Sequence, residues 1–303
     1  MPAHLPIEQR GELAVERFPN GELRVEVKAE VRGQECSLIG SVSPPEERLV
    51  SFLLASHTLR SEGAAEVVAV IPYLAYARQD EREPGMSLAA ACVGSLLAAA
   101  GVDRVVTIDL HSRRAGELFP IPVASLSPAP LFAAEIGALG LEGATIVAPD
   151  EGAIERCRAV AEAAASARPV AHLRKRRVGG RVEHLEIVGE ITPSVVIVDD
   201  ILDTGGTLIS CCAKLRRAGV ERIVVMITHG LFTGPRWSEL WSLGVESLYV
   251  TDTVPVLARR PPGGVRVLSA APVLEQALPG PSPTRRLPST ASQPRSWPER
   301  GAG

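Results

Sequence analysis

Short apolar runs that alternate with helical patterns are the feature that most constrains the fold of this chain. The apolar runs cover 66–71, 104–108, 144–147, 195–198, 222–227 and 246–250, and the helical patterns cover 45–62, 87–100, 152–165, 208–218 and 235–243. Strands that alternate with helices indicate an α/β fold in which mostly parallel sheets are flanked by helices. Ligands of such folds bind where the strands end, at the carboxyl edge of the sheet.

The unusual polar residues of the chain follow these apolar runs directly. They include Asp109, His111, Asp150, Asp199, Asp200, Thr228, His229 and Asp252. A random distribution would not collect so many carboxylates and imidazoles at the ends of predicted strands. We therefore predict a binding site along this edge of the fold.

The composition is that of a globular protein with a full hydrophobic core. The chain has 303 residues, 46% of them hydrophobic, and its 32 Lys and Arg and 35 Asp and Glu are spread along the sequence. We expect no nucleic-acid binding and no membrane segment, because no apolar run is long enough to cross a bilayer. The five cysteines have no metal-site spacing, and the N-terminus lacks a signal-peptide pattern, so we predict a cytoplasmic protein.

The distribution of prolines predicts two domains and a tail. Prolines cluster between 118 and 130, which places a boundary there and gives domains over 1–125 and 126–278. After residue 278 the sequence is rich in Pro, Ser and Arg and has almost no aliphatic residues. We predict that 279–303 is disordered, because such a segment has too little apolar surface to fold.

The segment 195–208 is the most specific of the strand ends. After the apolar run it continues with Asp199, Asp200, Ile201, Leu202, Asp203, Thr204, Gly205, Gly206 and Thr207, and then with a helical pattern. Glycines at a helix start allow a phosphate monoester to approach the free backbone N–H groups. The three carboxylates suit the hydroxyl groups of a ribose. The alternative is a connecting loop with an acidic N-cap and a flexible Gly-Gly pair.

This segment resembles the phosphoribosyl diphosphate (PRPP) binding loop of type I phosphoribosyltransferases and PRPP synthetases. Other segments between about residue 15 and residue 278 resemble the ribose-phosphate diphosphokinase (PRPP synthetase) family in particular. They are 18–22, 76–80, 101–112, 149–150, 175–177, 228–230 and 250–254. The resemblance implies two phosphoribosyltransferase-like domains, with ATP on the N-terminal side and ribose 5-phosphate on the C-terminal side.

The reaction that this resemblance implies transfers the β,γ-diphosphoryl group of ATP to the C1 hydroxyl of ribose 5-phosphate, giving PRPP and AMP. Arg78 and Gln79 resemble the ATP contacts of the family, and an arginine suits forked contacts with phosphate oxygens. Phe18, Asn20 and Glu22 match the hairpin that holds adenine, which in relatives comes from a neighbouring subunit. We therefore expect a homo-oligomer with active sites near subunit interfaces.

Two further residues resemble the magnesium site of the family. His111 matches the metal-binding histidine, and Asp150 matches the carboxylate that organises a second Mg²⁺ and the sugar. Magnesium usually keeps several waters, so one or two protein groups for each ion are enough. The alternative for both residues is a structural role as loop caps.

Four consecutive cations at 174–177 form the remaining candidate. Lys175 and Arg177 match the transition-state cations of the family, and we predict a mobile catalytic loop that closes when substrates are bound. The alternatives are a solvated surface or a nucleic-acid patch.

Two other functions are compatible with the motifs. A phosphoribosyltransferase that consumes PRPP would use the 199–207 loop but would not need Arg78, Gln79 or the 18–22 hairpin. A non-catalytic regulatory paralogue would bind partner synthetase subunits, and we would expect it to lose catalytic groups such as Lys175 and His111, which are present.

Overall fold

A two-stranded hairpin comes first in the computed structural model, which describes residues 10–166, 169–178, 181–254 and 264–278. Its strands, β1 (Leu13–Arg17) and β2 (Leu23–Val27), pair antiparallel. The turn between them is closed by hydrogen bonds from Phe18 N to Glu22 O (2.9 Å) and from Gly21 N to Phe18 O (2.8 Å). The hairpin predicted around 18–22 is therefore present.

The first sheet has four parallel strands. In spatial order they are β3 (Glu35–Ile39), β4 (Glu66–Val70), β5 (Arg104–Ile108) and β6 (Val123–Leu126). The inner strands β4 and β5 are buried along most of their length. They correspond to the predicted apolar runs at 66–71 and 104–108.

The second sheet has seven strands in the order β13-β12-β11-β10-β7-β8-β9. Their bounds are β7 (Thr145–Ala148), β8 (Ala171–Val178), β9 (Arg181–Val188), β10 (Ser194–Leu202), β11 (Arg222–Gly230), β12 (Val245–Thr251) and β13 (Val265–Leu268). All neighbours are parallel except β8 and β9. The predicted fold class, α/β with mostly parallel sheets and flanking helices, is confirmed.

Helices lie where the sequence predicts them, and three further helices are present. Their bounds are α1 (Glu47–Ser61), α2 (Ala89–Ala99), α3 (Arg113–Glu117), α4 (Ala129–Ala138), α5 (Ile154–Ala163), α6 (Gly206–Arg217), α7 (Glu239–Ser242) and α8 (Ala271–Glu275). The three that the sequence analysis does not predict are α3, α4 and α8. The helix predicted over 235–243 is shorter than expected, because a 3-10 turn at Arg236–Ser238 precedes α7. Within the described ranges, no helix is long and apolar enough to cross a membrane.

The basic segment 174–177 is a strand and not the loop that the sequence predicts. It belongs to β8, which pairs antiparallel with β9 at the edge of the second sheet. Arg174 stands opposite Glu186, and its Nη2 lies 2.8 Å from Glu186 Oε2. Opposite charges on facing strands stabilise a pair whose residues have low strand propensity.

Both faces of each sheet are covered by apolar residues. The second sheet packs α6 on one face, through Leu208 and Leu215, and α4 and α5 on the other, through Phe132 and Val160. The first sheet packs α1 and α2 on one face. This double coverage explains why the inner strands read as continuous apolar runs.

The end of the described chain returns to the first sheet. Val273 and Leu274 of α8 are buried against Val70 and Ile108 of β4 and β5. The predicted unit 126–278 therefore contributes one helix to the core of the first sheet, a contact that no local pattern in the sequence indicates. The division at 125 remains a prediction, and the predicted tail 279–303 lies outside the described residues.

Candidate active site

A cleft of about 1020 Å³ opens where strands of both sheets end. Its lining includes Arg78, Gln79, His111, Asp150, Asp199, Asp200, Asp203, Thr204, Gly205, Gly206 and Thr207. Segments after β4, β5, β7 and β10 thus reach one cavity. The structure brings together two of the side chains that the sequence assigns to ATP with those that it assigns to ribose 5-phosphate and to a metal.

The turn before α6 has the geometry that the glycines predict. Gly205 has a φ of 86°, and a Cβ at this position would lie 2.8 Å from the Cα of Trp237. A side chain is therefore excluded there for two independent reasons. A Cβ on Gly206, the first residue of α6, would meet no atom within 4 Å among the described residues. The start of this helix also lines the cleft, where its backbone N–H groups suit an anion.

Asp199 and Asp200 are buried within the last residues of β10, with 9% and 5% of their surfaces exposed. Burial and then the neighbouring charge of Asp200 raise the pKa of Asp199 well above its usual range. Burial also opposes ionisation of Asp200, but the hydrogen bond from His111 and the charge of Arg156 outweigh it and lower its pKa. Asp200 is therefore the more acidic member of the pair.

His111 is oriented by one of these carboxylates. Its Nδ1 lies 2.6 Å from Asp200 Oδ2, and this hydrogen bond is the largest cause of the raised pKa of the imidazole. Among the described residues we find no partner for Nε2. A histidine that is fixed through one ring nitrogen and open at the other has the arrangement of a metal ligand or a phosphate donor.

Arg156 joins the ends of the two sheets and is absent from the sequence-based predictions. Its Nε lies 2.9 and 3.0 Å from the two oxygens of Asp109, Nη1 lies 3.7 Å from Asp199, and Nη2 lies 3.5 Å from Asp200. Its side chain is only 10% exposed. Burial lowers the pKa of Arg156, but the charges of these three aspartates raise it by more. The guanidinium is therefore a permanent cation among them.

Asp109 and its neighbour Ile108 make further contacts with β11. Asp109 has a φ of 47°, and its Oδ2 also accepts a hydrogen bond from the hydroxyl of Thr228. The Nε2 of His229 lies 3.0 Å from the Ile108 carbonyl, while its Nδ1 lies 2.8 Å from the hydroxyl of Thr253. Complete burial lowers the pKa of His229, so its imidazole is neutral and donates through Nε2.

Arg78 and Gln79, the predicted ATP residues that line the cleft, contact different segments of the chain. Nη1 of Arg78 lies 2.9 Å from Oδ2 of Asp203 in the predicted ribose-phosphate loop. The pKa of Asp203 is lowered by a hydrogen bond from Thr233 and then by Arg78. The hydroxyl of Ser87 donates to Oε1 of Gln79 at 2.6 Å, which leaves the amide NH₂ of Gln79 to act as a donor.

The described residues fit the implied Mg²⁺, although they do not form a cage for it. No group of three or more His, Cys, Asp and Glu side chains within the described ranges is arranged to hold a metal ion. Magnesium is commonly held by one or two protein groups together with substrate phosphates and water. His111 and Asp150 both line the cleft and offer such groups. Asp150 also caps the following turn, since its Oδ1 accepts from Gly152 N at 3.0 Å, as the alternative interpretation predicts.

Other predicted residues do not line this cleft. Phe18, Asn20 and Glu22 lie on the β1–β2 turn, and 48% of the Phe18 surface is exposed. The backbones of Lys175 and Arg177 lie on β8, and their side chains lie outside the described parts. The assigned roles of these residues remain predictions.

Comparisons with known proteins agree with this arrangement. Residues 4–101 match the N-terminal domain of ribose phosphate pyrophosphokinase, and 177–261 match the phosphoribosyl synthetase-associated domain. The ribose-phosphate pyrophosphokinase of Campylobacter jejuni is 33% identical over 90% of this chain and 88% of its own length. That of Aquifex aeolicus is 35% identical over 86% of this chain and 85% of its own length.

A crystal structure of phosphoribosylpyrophosphate synthetase from Mycobacterium smegmatis superposes with a TM-score of 0.78. It is 29% identical and the match covers 88% of this chain and 89% of that one. Fold and cleft together define a protein with two phosphoribosyltransferase-like units whose strand ends share one polar site. With relatives above 30% identity over most of their length, the chain belongs to the ribose-phosphate pyrophosphokinase family.

Proposed function

We propose that this chain transfers the diphosphoryl group of ATP to the C1 hydroxyl of ribose 5-phosphate, with PRPP and AMP as products. One observation carries the proposal: the predicted ATP residue Arg78 and the predicted ribose-phosphate residue Asp203 line one cleft and contact each other there. Nη1 of Arg78 lies 2.9 Å from Oδ2 of Asp203. Two substrates bound on these two sides would meet. Reactions of this class depend on positioning and on the neutralisation of charge.

Ribose 5-phosphate would bind over the start of α6. The 5-phosphate would accept hydrogen bonds from the backbone N–H groups after Gly205 and from the hydroxyls of Thr204 and Thr207, which line the cleft. Asp199 and Asp200 would accept from the ribose hydroxyls. The ionised state of Asp200, which His111 and Arg156 maintain, makes it the stronger acceptor.

ATP would bind on the side of the first sheet. Arg78 would exchange its contact with Asp203 for the phosphates of ATP, and the NH₂ of Gln79, oriented by Ser87, would donate to the base. Lys175 and Arg177 would supply positive charge to the transferring group from the β8–β9 hairpin. Such charge acts on the transition state when its position is fixed before the reaction.

Mg²⁺ would be held by His111 and Asp150 with the phosphates of ATP and water as the other ligands. The ion would neutralise negative charge on the diphosphoryl group. The protein contributes the orientation of the ligands: Asp200 fixes the His111 ring, and the turn at Gly152 fixes Asp150.

A complete site would require a second copy of the chain. Phe18, Asn20 and Glu22 do not line the cleft of their own chain, and the hairpin itself carries exposed apolar side chains such as Val15. The hairpin is therefore available to a neighbouring cleft. This is the basis for proposing a homo-oligomer with active sites near subunit interfaces.

Incubation of the purified protein with ATP, Mg²⁺ and ribose 5-phosphate tests the proposal. We expect AMP and PRPP in equal amounts. A phosphoribosyltransferase would consume added PRPP and a nucleobase and would not require ATP, and a regulatory paralogue would give no turnover unless partner subunits were added. Formation of ADP alone would contradict diphosphoryl transfer.

A further inference from the structure

Arg156 is a buried group to which the proposed reaction assigns no direct contact with substrate. It lies on α5, and the guanidinium points at carboxylates from two different sheets: Asp109 after β5, and Asp199 and Asp200 at the end of β10. A single charge placed among three carboxylates, with little solvent, is a costly arrangement unless each contact is well formed. Because Arg156 is buried, its charge does not serve solubility at the surface and must have another role.

Asp109 has protein partners for both of its carboxylate oxygens. Both of its oxygens accept from Nε of Arg156, and Oδ2 also accepts from the Thr228 hydroxyl. The residue before it, Ile108, accepts through its carbonyl from His229. These contacts attach the end of β5 to the second sheet. The carboxylate of Asp109 lies between Arg156 of α5 and Thr228 of β11.

These contacts close a ring that contains a predicted catalytic residue. Starting from Arg156, the ring passes to Asp109, then two residues along the backbone to His111, then to Asp200, and back to Arg156. Within this ring the end of β5 cannot shift relative to β10 without breaking a buried contact.

We propose that Arg156 is a positioning residue that sets the distance between the ATP side and the ribose-phosphate side of the cleft, an inference that rests on the proposed function. An arginine is needed because its planar fork has five N–H donors and reaches Asp109 and the Asp199–Asp200 pair simultaneously. A lysine retains the charge but concentrates it at one atom. A displacement of roughly 1 Å between reacting groups is enough to lower a rate by about a hundredfold.

Arg156→Lys is the direct test, with Arg158→Lys as the matched control. Arg158 lies on the same helix, is exposed, and pairs with Glu155 outside this ring. We expect R156K to lower kcat by at least about tenfold, while the Kd of ribose 5-phosphate and that of a non-hydrolysable ATP analogue, each measured alone, change by less than about threefold. R158K should leave kcat unchanged. An unchanged kcat in R156K, or a rise of either Kd by more than about threefold, would overturn the proposal.

A second measurement keeps the inference separate from the proposed activity. Arg156→Gln, Asp109→Asn and the double variant form a thermal unfolding cycle that requires no turnover. We expect the Tm loss in the double variant to be clearly smaller than the sum of the two single losses, because both substitutions break the same contact. Additive losses would overturn the ring. If Arg156→Gln does not fold, Arg156→Lys takes its place in the cycle. A wild-type protein without PRPP formation would contradict the proposed function but would leave this result intact.

Discussion

Nη1 of Arg78 lies 2.9 Å from Oδ2 of Asp203, a residue 125 positions later in the chain, and this ion pair spans the cleft between the two sheets. The side chains are 50% and 33% exposed. An exposed ion pair contributes little stability, typically about 0.2–1 kcal/mol. Substrates can therefore replace it at small cost, and under the proposed function the pair lies where the ATP side and the ribose-phosphate side would meet.

The first prediction follows from this pair. Arg78→Ala should raise the KM for ATP and lower kcat/KM for ATP by at least about tenfold, because a charged hydrogen bond to phosphate is lost. Asp203→Asn should act instead on the KM for ribose 5-phosphate. Arg82→Ala, in the same exposed segment, is the control. If both substitutions changed the same KM, the assignment of the two sides would be wrong.

Lys175 gives a prediction about rate. Lys175→Ala should lower kcat by roughly a hundredfold or more, as loss of a charge that acts on the transition state does. Arg174→Ala is the matched control, because Arg174 pairs with Glu186 on the neighbouring strand. Steady-state kinetics with both substrates varied would show the difference. A higher KM for ATP with an unchanged kcat would make Lys175 a binding group only.

The exposed hairpin gives a prediction about assembly. A variant with Phe18, Asn20 and Glu22 changed to Ala and a Lys175→Ala variant should each have little activity. After they are dissociated and reassembled together, we expect about a quarter of the wild-type activity, because that share of sites would combine an intact hairpin with an intact cleft. Activity that stays at the sum of the two variants would show that each chain completes its own site.

His229 gives a prediction about pH. Its pKa is lowered in the folded protein, whereas the unfolded chain takes up a proton near the ordinary value of 6.5. The stability linked to His229 is therefore fully present above pH 6.5 and is lost as the pH falls toward the folded pKa, by at most ~1.4 kcal/mol per pH unit. Denaturant unfolding of wild-type and His229→Gln proteins between pH 8 and about pH 5 measures this loss. We expect a shallower decline in the variant, and identical slopes would contradict a neutral, buried His229.

The sheet and its carboxyl edge could be predicted because they depend on local signals. Apolar runs such as 195–198 are buried on both faces, and the polar residues that follow them, including Asp200 and His111, reach the cleft. The turn at Gly205 was predictable for the same reason, since its positive φ leaves a glycine signature in the sequence.

The remaining features depend on contacts between distant segments. Arg156 is one of several arginines on helices, and nothing local shows that it turns inward to meet Asp109 across 47 positions. The charged strand β8 has no apolar periodicity, because it is stabilised by pairing with β9 at the sheet edge. The return of α8 to the first sheet is likewise decided by packing and not by its own sequence.

The fate of the β-phosphorus of ATP tests the central claim most directly. The protein would be incubated with Mg²⁺, ribose 5-phosphate and ATP labelled at the β position, and the products separated by charge. Diphosphoryl transfer predicts that the label moves into PRPP and that AMP is unlabelled. Label that appears in ADP, or that stays in ATP while ribose 5-phosphate is unchanged, would contradict diphosphoryl transfer.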